Sequence, residues 1–140
     1  MWPSEWDEAM GPKDLSSSFR IRLLIAGGRN VRVGPDKLDK EVLDFLLVDS
    51  GSKGVCVISG GAPGVDRSAD LWARSRGLPS FVFPADWDRH GKAAGKMRNQ
   101  EMEREATHLL AFWDGMSPGT AHMIATMTMR GKPVRVVHVA

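Results

Sequence analysis

A single cysteine, Cys56, occurs in the whole chain, so an internal disulfide is excluded and the fold must rest on its apolar core. One unpaired cysteine fits a reducing cytoplasm. In "VCVIS" it reads as a small buried hydrophobe rather than a nucleophile. No apolar run approaches the roughly 20 residues that cross a bilayer, which argues against a membrane partner. The opening "MWPSEWDEAMGPKD" is acidic and broken by prolines, unlike a signal or transit peptide. Charge of one sign is scarce as well. With 19 Lys+Arg against 17 Asp+Glu the net charge is +2, far from the dense basic stripe of a dedicated nucleic-acid binder. The histidines have no metal-ligand spacing, and neither a GxSxG elbow nor a Ser-His-Asp arrangement is legible. The expectation is a cytoplasmic protein with no metal and no resident cofactor.

What is present is a regular alternation. At 140 residues, with 42% hydrophobic and 26% charged, the chain has the length and composition of one globular domain. "FRIRLLIA" (Phe19–Ala26) is a short apolar run stopped by Gly27-Gly28 and predicts a buried strand. Pro35–Val48 places Leu38, Val42, Phe45 and Leu46 at helical spacing, with Pro35 suited to a first helical position. Val55–Ser59 predicts a second strand, and Val65–Arg76 a helix stopped by Gly77. Ser80–Pro84 predicts a third strand, followed by a long polar loop and a helix over Lys96–Glu105. Thr107–Asp114, Ala121–Arg130 and the terminal "KPVRVVHVA" supply a fourth strand, a fourth helix and a last strand. Met123, Met127 and Met129 are spaced as the core face of that helix. Such a repeat predicts an α/β, Rossmann-like three-layer domain, with a parallel sheet of about five strands and helices on both faces. It spans residues 19–140. Residues 1–18, with Trp2 and Trp6, form an N-terminal extension outside the repeat.

In an open parallel sheet, ligands bind beyond the carboxyl ends of the strands. "AGGRN", "SGGAPGVD" and "DGMSPGT" follow the first, second and fourth strands, and "PADWDRHGKAAGKMRN" follows the third, so four loops meet at that edge. Glycine lets a ligand approach backbone N–H groups, and helices starting there add unpaired N–H groups and a positive dipole end. A phosphate or carboxylate is the natural guest, with Arg29, Arg67, Lys92, Lys96 and Arg98 able to pair its charge. The binding candidates are Gly27, Gly28, Arg29, Gly60, Gly61, Gly64, Asp66, Trp87, Arg98, Asn99, Ser117, Gly119 and Thr120. Several carry a plainer alternative. Asp66 suits a helix cap as well as a ligand contact, and its capping role is the stronger expectation. Ser117 and Thr120 could each cap or bind. Trp87 could cover a base or ribose, or pack on Trp113 or Trp72. His122 lies near the same edge and reads as solvent-facing.

Three blocks, "GGAPGVDRSADLWA", "FPADWDRHGKAAGKMRNQEM" and "LLAFWDGMSPGTAHMIATM", resemble the signature segments of the YspA-like proteins. These belong to the SLOG superfamily, which also includes DprA and the Lonely Guy phosphoribohydrolases. The resemblance covers about Arg20 to Val137. It implies a domain that binds nucleotides or nucleotide-derived signals, and pairing of subunits into a homo-oligomer. Lonely Guy enzymes cleave the N-glycosidic bond of nucleoside monophosphates with an arginine in an "RK" motif and a glutamate after "PGGxGT". Arg98 matches that arginine and is the catalytic candidate, with Asn99 where the lysine would stand. Gly119 and Thr120 match the "GT", but Ala121 and His122 occupy the glutamate positions. That departure favours binding over glycosidic cleavage, which calls for a carboxylate; Asp66, Asp86 or Asp114 would have to substitute. A sensor or sequestering protein for a nucleotide-like small molecule is therefore expected first, a nucleotide N-glycosidase second, and DprA-like single-stranded DNA binding third.

Overall fold

The computed structural model describes residues 15–46 and 54–139; Trp2, Trp6 and most of the expected extension lie outside the described residues. Strand β1 (Ile21–Gly27) is buried on both faces and takes the centre of a five-stranded sheet. Its neighbours are β2 (Val55–Ser59) and β4 (His108–Trp113), with β3 (Ser80–Val82) and β5 (Val134–His138) at the edges, in the order β3-β2-β1-β4-β5. Every pairing is parallel, with Leu24 opposite Ile58 on one side and opposite Leu109 on the other. Parallel strands need crossover helices, and those helices cover both faces.

Alternation along the strands divides the core in two. Leu24, Ala26, Cys56, Ile58, Leu109 and Ala111 face Met102 of α5 (Ala94–Glu105) and Met123 and Met127 of α6 (Pro118–Met129). Leu23, Ile25, Val57, Leu110 and Phe112 face Leu38 and Val42 of α2 (Pro35–Leu46) and Val65, Ala69 and Trp72 of α3 (Val65–Ser75). This is the expected α/β three-layer architecture with helices on both faces. The α2 and α3 layer is tied together by Asp39, which accepts from Trp72 Nε1 at 2.8 Å and pairs with Arg76 at 2.6 Å. Among the described residues no helix is long and apolar enough to cross a membrane.

The differences from expectation are local. A short helix, α1 (Leu15–Ser18), falls within the segment read as lying outside the repeat, and its Leu15 is fully buried beside Phe19 and Phe81. The "polar loop" after β3 is helical: α4 (Trp87–His90) and a 3₁₀ turn (Gly91–Ala93) run directly into α5. Asp86 starts α4 by accepting the Arg89 N–H at 3.1 Å, and Gly91 breaks it at φ 55°. β3 stops at Val82: the Phe83 N–H still reaches Ser59 O at 2.8 Å, but Pro84 has no N–H to give. α6 begins at Pro118, three residues before the expected Ala121, since proline is at ease where its missing N–H would be unpaired. It also ends sooner: Met129 is exposed rather than core, while Met123 and Met127 are buried as their spacing predicts.

Candidate functional site

Beyond the carboxyl ends of the strands lies a cavity of about 510 Å³, within the usual range for small-molecule sites. It brings together segments that are far apart in sequence: Gly27 and Arg29 after β1, Gly60, Gly61 and Asp66 after β2, Trp87 after β3, Arg98 and Asn99 on α5, and Gly119 and Thr120 on α6. Ten of the thirteen expected residues therefore line one space. Gly28, Gly64 and Ser117 do not, and neither do His122, Arg67, Lys92 or Lys96.

What a Cβ would meet separates the glycines by role. At Gly27 it would overlap the Phe112 carbonyl oxygen and lie 2.6 Å from Val65 Cγ2. At Gly64, where φ is +84°, it would lie 2.5 Å from Arg29 O. These two are dictated by close packing of the β1 and β2 loops and by backbone conformation, not by a guest. Gly61 is likewise in the left-handed region, at φ +77°. Gly60 clears space for two side chains, because Arg98 Nη1 and Asp66 Oδ2 each stand 2.9 Å from where its Cβ would be. Gly119 is different: it lies inside a helix, lines the cavity, and has no protein atom outside its own helical turn within 4 Å of its Cβ position.

Asp66 and Arg98 form the charged floor. Arg98 donates through Nη1 to Gly60 O and through Nε to Asn99 Oδ1 at 2.9 Å, which fixes the plane of the guanidinium. Asp66, 8% exposed, accepts the Ala62 N–H at 3.1 Å. Burial raises the Asp66 carboxyl above its ordinary value, opposed by the Ala62 N–H, the charge of Arg98 and the Gly60 N–H. Burial also pulls Arg98 down, with Asp66 opposing. The expectation that Asp66 caps α3 is corrected. The N-cap is Gly64 and no side chain caps that helix; Asp66 sits two positions past the cap and reaches back to the loop instead.

The start of α6 is open too. Ser117 is the N-cap of α6, yet its hydroxyl donates to Asp114 Oδ2 at 3.1 Å and caps nothing. Asp114 also takes the Met116 and Ser117 N–H groups, each at 2.8 Å. It thus stabilises the turn and leaves the first N–H groups of α6, at Gly119 and Thr120, without a side-chain partner. α5 likewise starts without a side-chain cap. That start is nonetheless closed, because α5 continues from the 3₁₀ turn and the Ala94 N–H is given to Gly91 O. The two uncapped starts of α3 and α6 are the ones that leave backbone donors and positive dipole ends available to an anion. Trp87 is 58% exposed and rests against Gly95, whose Cβ position is 3.3 Å from the indole; it packs on neither Trp113 nor Trp72. Sequence reasoning missed the apolar walls, Val82, Met102 and Met123 among them. Helical spacing could have found two, since Met102 is four residues from Arg98 and Met123 four from Gly119.

A family model described as the YspA, cpYpsA-related SLOG family matches residues 21–90, half of the 140-residue chain. The chain belongs to this SLOG family. The matched span of the SLOG protein carries the first three strands, the glycine loop and Asp66. It is similar to the Gene 61 protein of Mycobacterium phage D29, with 44% identity over 87 residues that cover 58% of this chain and 70% of the relative. Among solved structures, it resembles DNA processing protein A (DprA) of Streptococcus pneumoniae at a TM-score of 0.66 and 16% identity. That match covers 91% of this chain and 53% of the other, so the SLOG protein spans about half of that DprA chain. It also resembles DNA processing protein A of Helicobacter pylori, a structure described for its single-stranded DNA binding mode. There the TM-score is 0.62 at 18% identity, over 90% of this chain and 68% of the other. At such identities the likeness speaks for the shared fold.

Proposed function

We propose that this SLOG protein binds a nucleotide or nucleotide-derived phosphorylated ligand in the cavity: a nucleoside monophosphate, an ADP-ribose-like molecule or a cyclic nucleotide. Its role is that of a cytoplasmic sensor or sequestering protein. The observation that carries this reading is Gly119. Glycine is a weaker helix former than alanine, by up to about 0.5–1 kcal/mol, and here no atom outside its own helical turn claims the space that a methyl group would fill. A ligand pressed against the open start of α6 accounts for it. Arg29, lining the cavity with no hydrogen-bond partner among the described residues, pairs the phosphate charge, and Trp87 covers the base. Native mass spectrometry of freshly purified protein is the test, with the mass of a co-purifying nucleotide naming the ligand. Calorimetric titration against nucleoside monophosphates, ADP-ribose and cyclic nucleotides follows. Absence of binding across that panel refutes the reading.

A second reading, N-glycosidic hydrolysis, is favoured by one finding: Asp66 supplies a buried carboxyl beside Arg98, which the sequence pattern at Ala121 and His122 lacks. Release of free base from a nucleoside monophosphate, lost in Arg98→Ala, would establish it. The described activity of the Helicobacter pylori relative makes single-stranded DNA a further arm of the titration, where salt-sensitive binding would redirect the assignment. We also propose a homo-oligomer, which light scattering showing a monomer at high concentration would refute.

A further inference from the structure

An anion-binding cavity that holds a buried carboxylate poses a chemical question. Asp66 repels phosphate, and a carboxylate accepts about four hydrogen bonds, of which the loop N–H groups of Ala62, on Oδ2, and Gly60 take a part. Its partner in the ligand is therefore a hydrogen-bond donor, and the donors a nucleotide carries at neutral pH are uncharged. The order of the loops along the sheet indicates which one. Gly119 and Thr120 follow β4, Gly27 follows β1, Gly60 and Asp66 follow β2, and Trp87 follows β3, while the strands lie in the order β3-β2-β1-β4. With strands about 4.8 Å apart, the open helix start and the exposed indole mark the two ends of a run of about 14 Å. Asp66 stands between them. Phosphate at the α6 end and base at the Trp87 end leave the sugar opposite the carboxylate.

We propose that Asp66 reads the sugar: its carboxylate accepts hydrogen bonds from the vicinal hydroxyls of a ribose, so the site takes ribonucleotides and rejects 2′-deoxyribonucleotides. The proposal rests on the nucleotide reading above. Arg98 is the positioning residue, since its guanidinium is clamped to Gly60 O and Asn99 Oδ1 and crowds the same point as the carboxylate. Donating a hydrogen bond to a charged acceptor, the 2′-hydroxyl contributes roughly 10- to 100-fold in affinity.

The test is calorimetric titration of the whole protein with the four ribonucleoside 5′-monophosphates and their 2′-deoxy counterparts. At least one ribonucleotide should bind tighter than its deoxy partner by that factor, and Asp66→Asn should bring the two together. Equal affinity of wild-type protein for both sugars overturns the sugar readout and leaves the nucleotide reading standing. A ribose preference that survives in Asp66→Asn overturns the assignment to Asp66. Failure of both series to bind overturns the sugar readout for nucleoside monophosphates and leaves the nucleotide reading to the ADP-ribose and cyclic nucleotide arms of the panel. The wild-type comparison needs no variant, and a melting curve establishes that Asp66→Asn is folded.

Discussion

Replacing Gly119 with alanine separates what a glycine does for a fold from what it does for a guest. The residue is helical, its φ is unexceptional, and no atom outside its own helical turn stands within 4 Å of the new methyl group. Gly119 is the second residue of α6, so the folded chain should gain at most about 0.5–1 kcal/mol, the helix-interior propensity difference, raising the melting temperature by up to roughly 3 °C for a domain of this size. The same methyl enters the space assigned to the ligand, and overpacking a contact surface costs about 1–3 kcal/mol, or about tenfold or more in affinity. Gly64→Ala is the counterpart. Its φ of +84° costs alanine about 1–2 kcal/mol, and the clash with the Arg29 backbone adds about 1–3 kcal/mol. Their sum, about 2–5 kcal/mol, lowers the melting temperature by roughly 6–15 °C. Circular dichroism melts and calorimetric titration read both variants. A Gly119→Ala protein that melts below wild type, or that binds the ligand equally well, refutes the reasoning.

Other outcomes follow from burial and charge. Because burial raises the Asp66 carboxyl, the folded chain holds a proton over a pH window in which the unfolded chain has released it, and wild-type stability falls as pH rises through that window. Asp66→Asn has nothing to ionise, so urea unfolding should show it gaining on wild type as pH rises above the ordinary carboxylate value of 3.8; a difference independent of pH refutes this. Phe112→Ala empties a fully buried ring site in the α2 and α3 layer and should cost about 3–5 kcal/mol, seen as a melting temperature roughly 9–15 °C lower. The Cys56 thiol, pushed up to about 12 by burial, should resist a thiol reagent at pH 8 until the chain is unfolded in guanidinium. Rapid labelling of the native protein would contradict its burial.

The alternation of apolar strands with amphipathic helices was legible because parallel pairing needs crossovers and leaves near-continuous apolar runs. Strand order was not, since nothing local distinguishes a β1 that pairs β2 and β4 from one that pairs β2 alone. Ten of thirteen site candidates converge because open parallel sheets send every βα loop to one edge. The glycines of "SGGAPGVD" carried the strongest signal and prove the more ordinary: Gly61 and Gly64 answer to positive φ, and Gly60 to the two side chains beside it. Among the glycines that line the cavity, the three-dimensional neighbourhood of a missing Cβ, invisible along the chain, singles out Gly119. Asp66 lies two positions past the cap, a margin that residue type near a helix start does not resolve.

The place of β1 in the sheet also bears on how the chain is made. Its second edge is closed by a strand that arrives late, as the Arg22 N–H bond to Thr107 Oγ1 spans 85 residues. At about 5–20 residues per second, a ribosome needs roughly 4–17 s to deliver that partner. During that interval the nascent chain presents an unsatisfied, apolar strand edge. A chaperone that shields such edges would find its substrate in the half-finished protein, well before the cavity exists to hold anything.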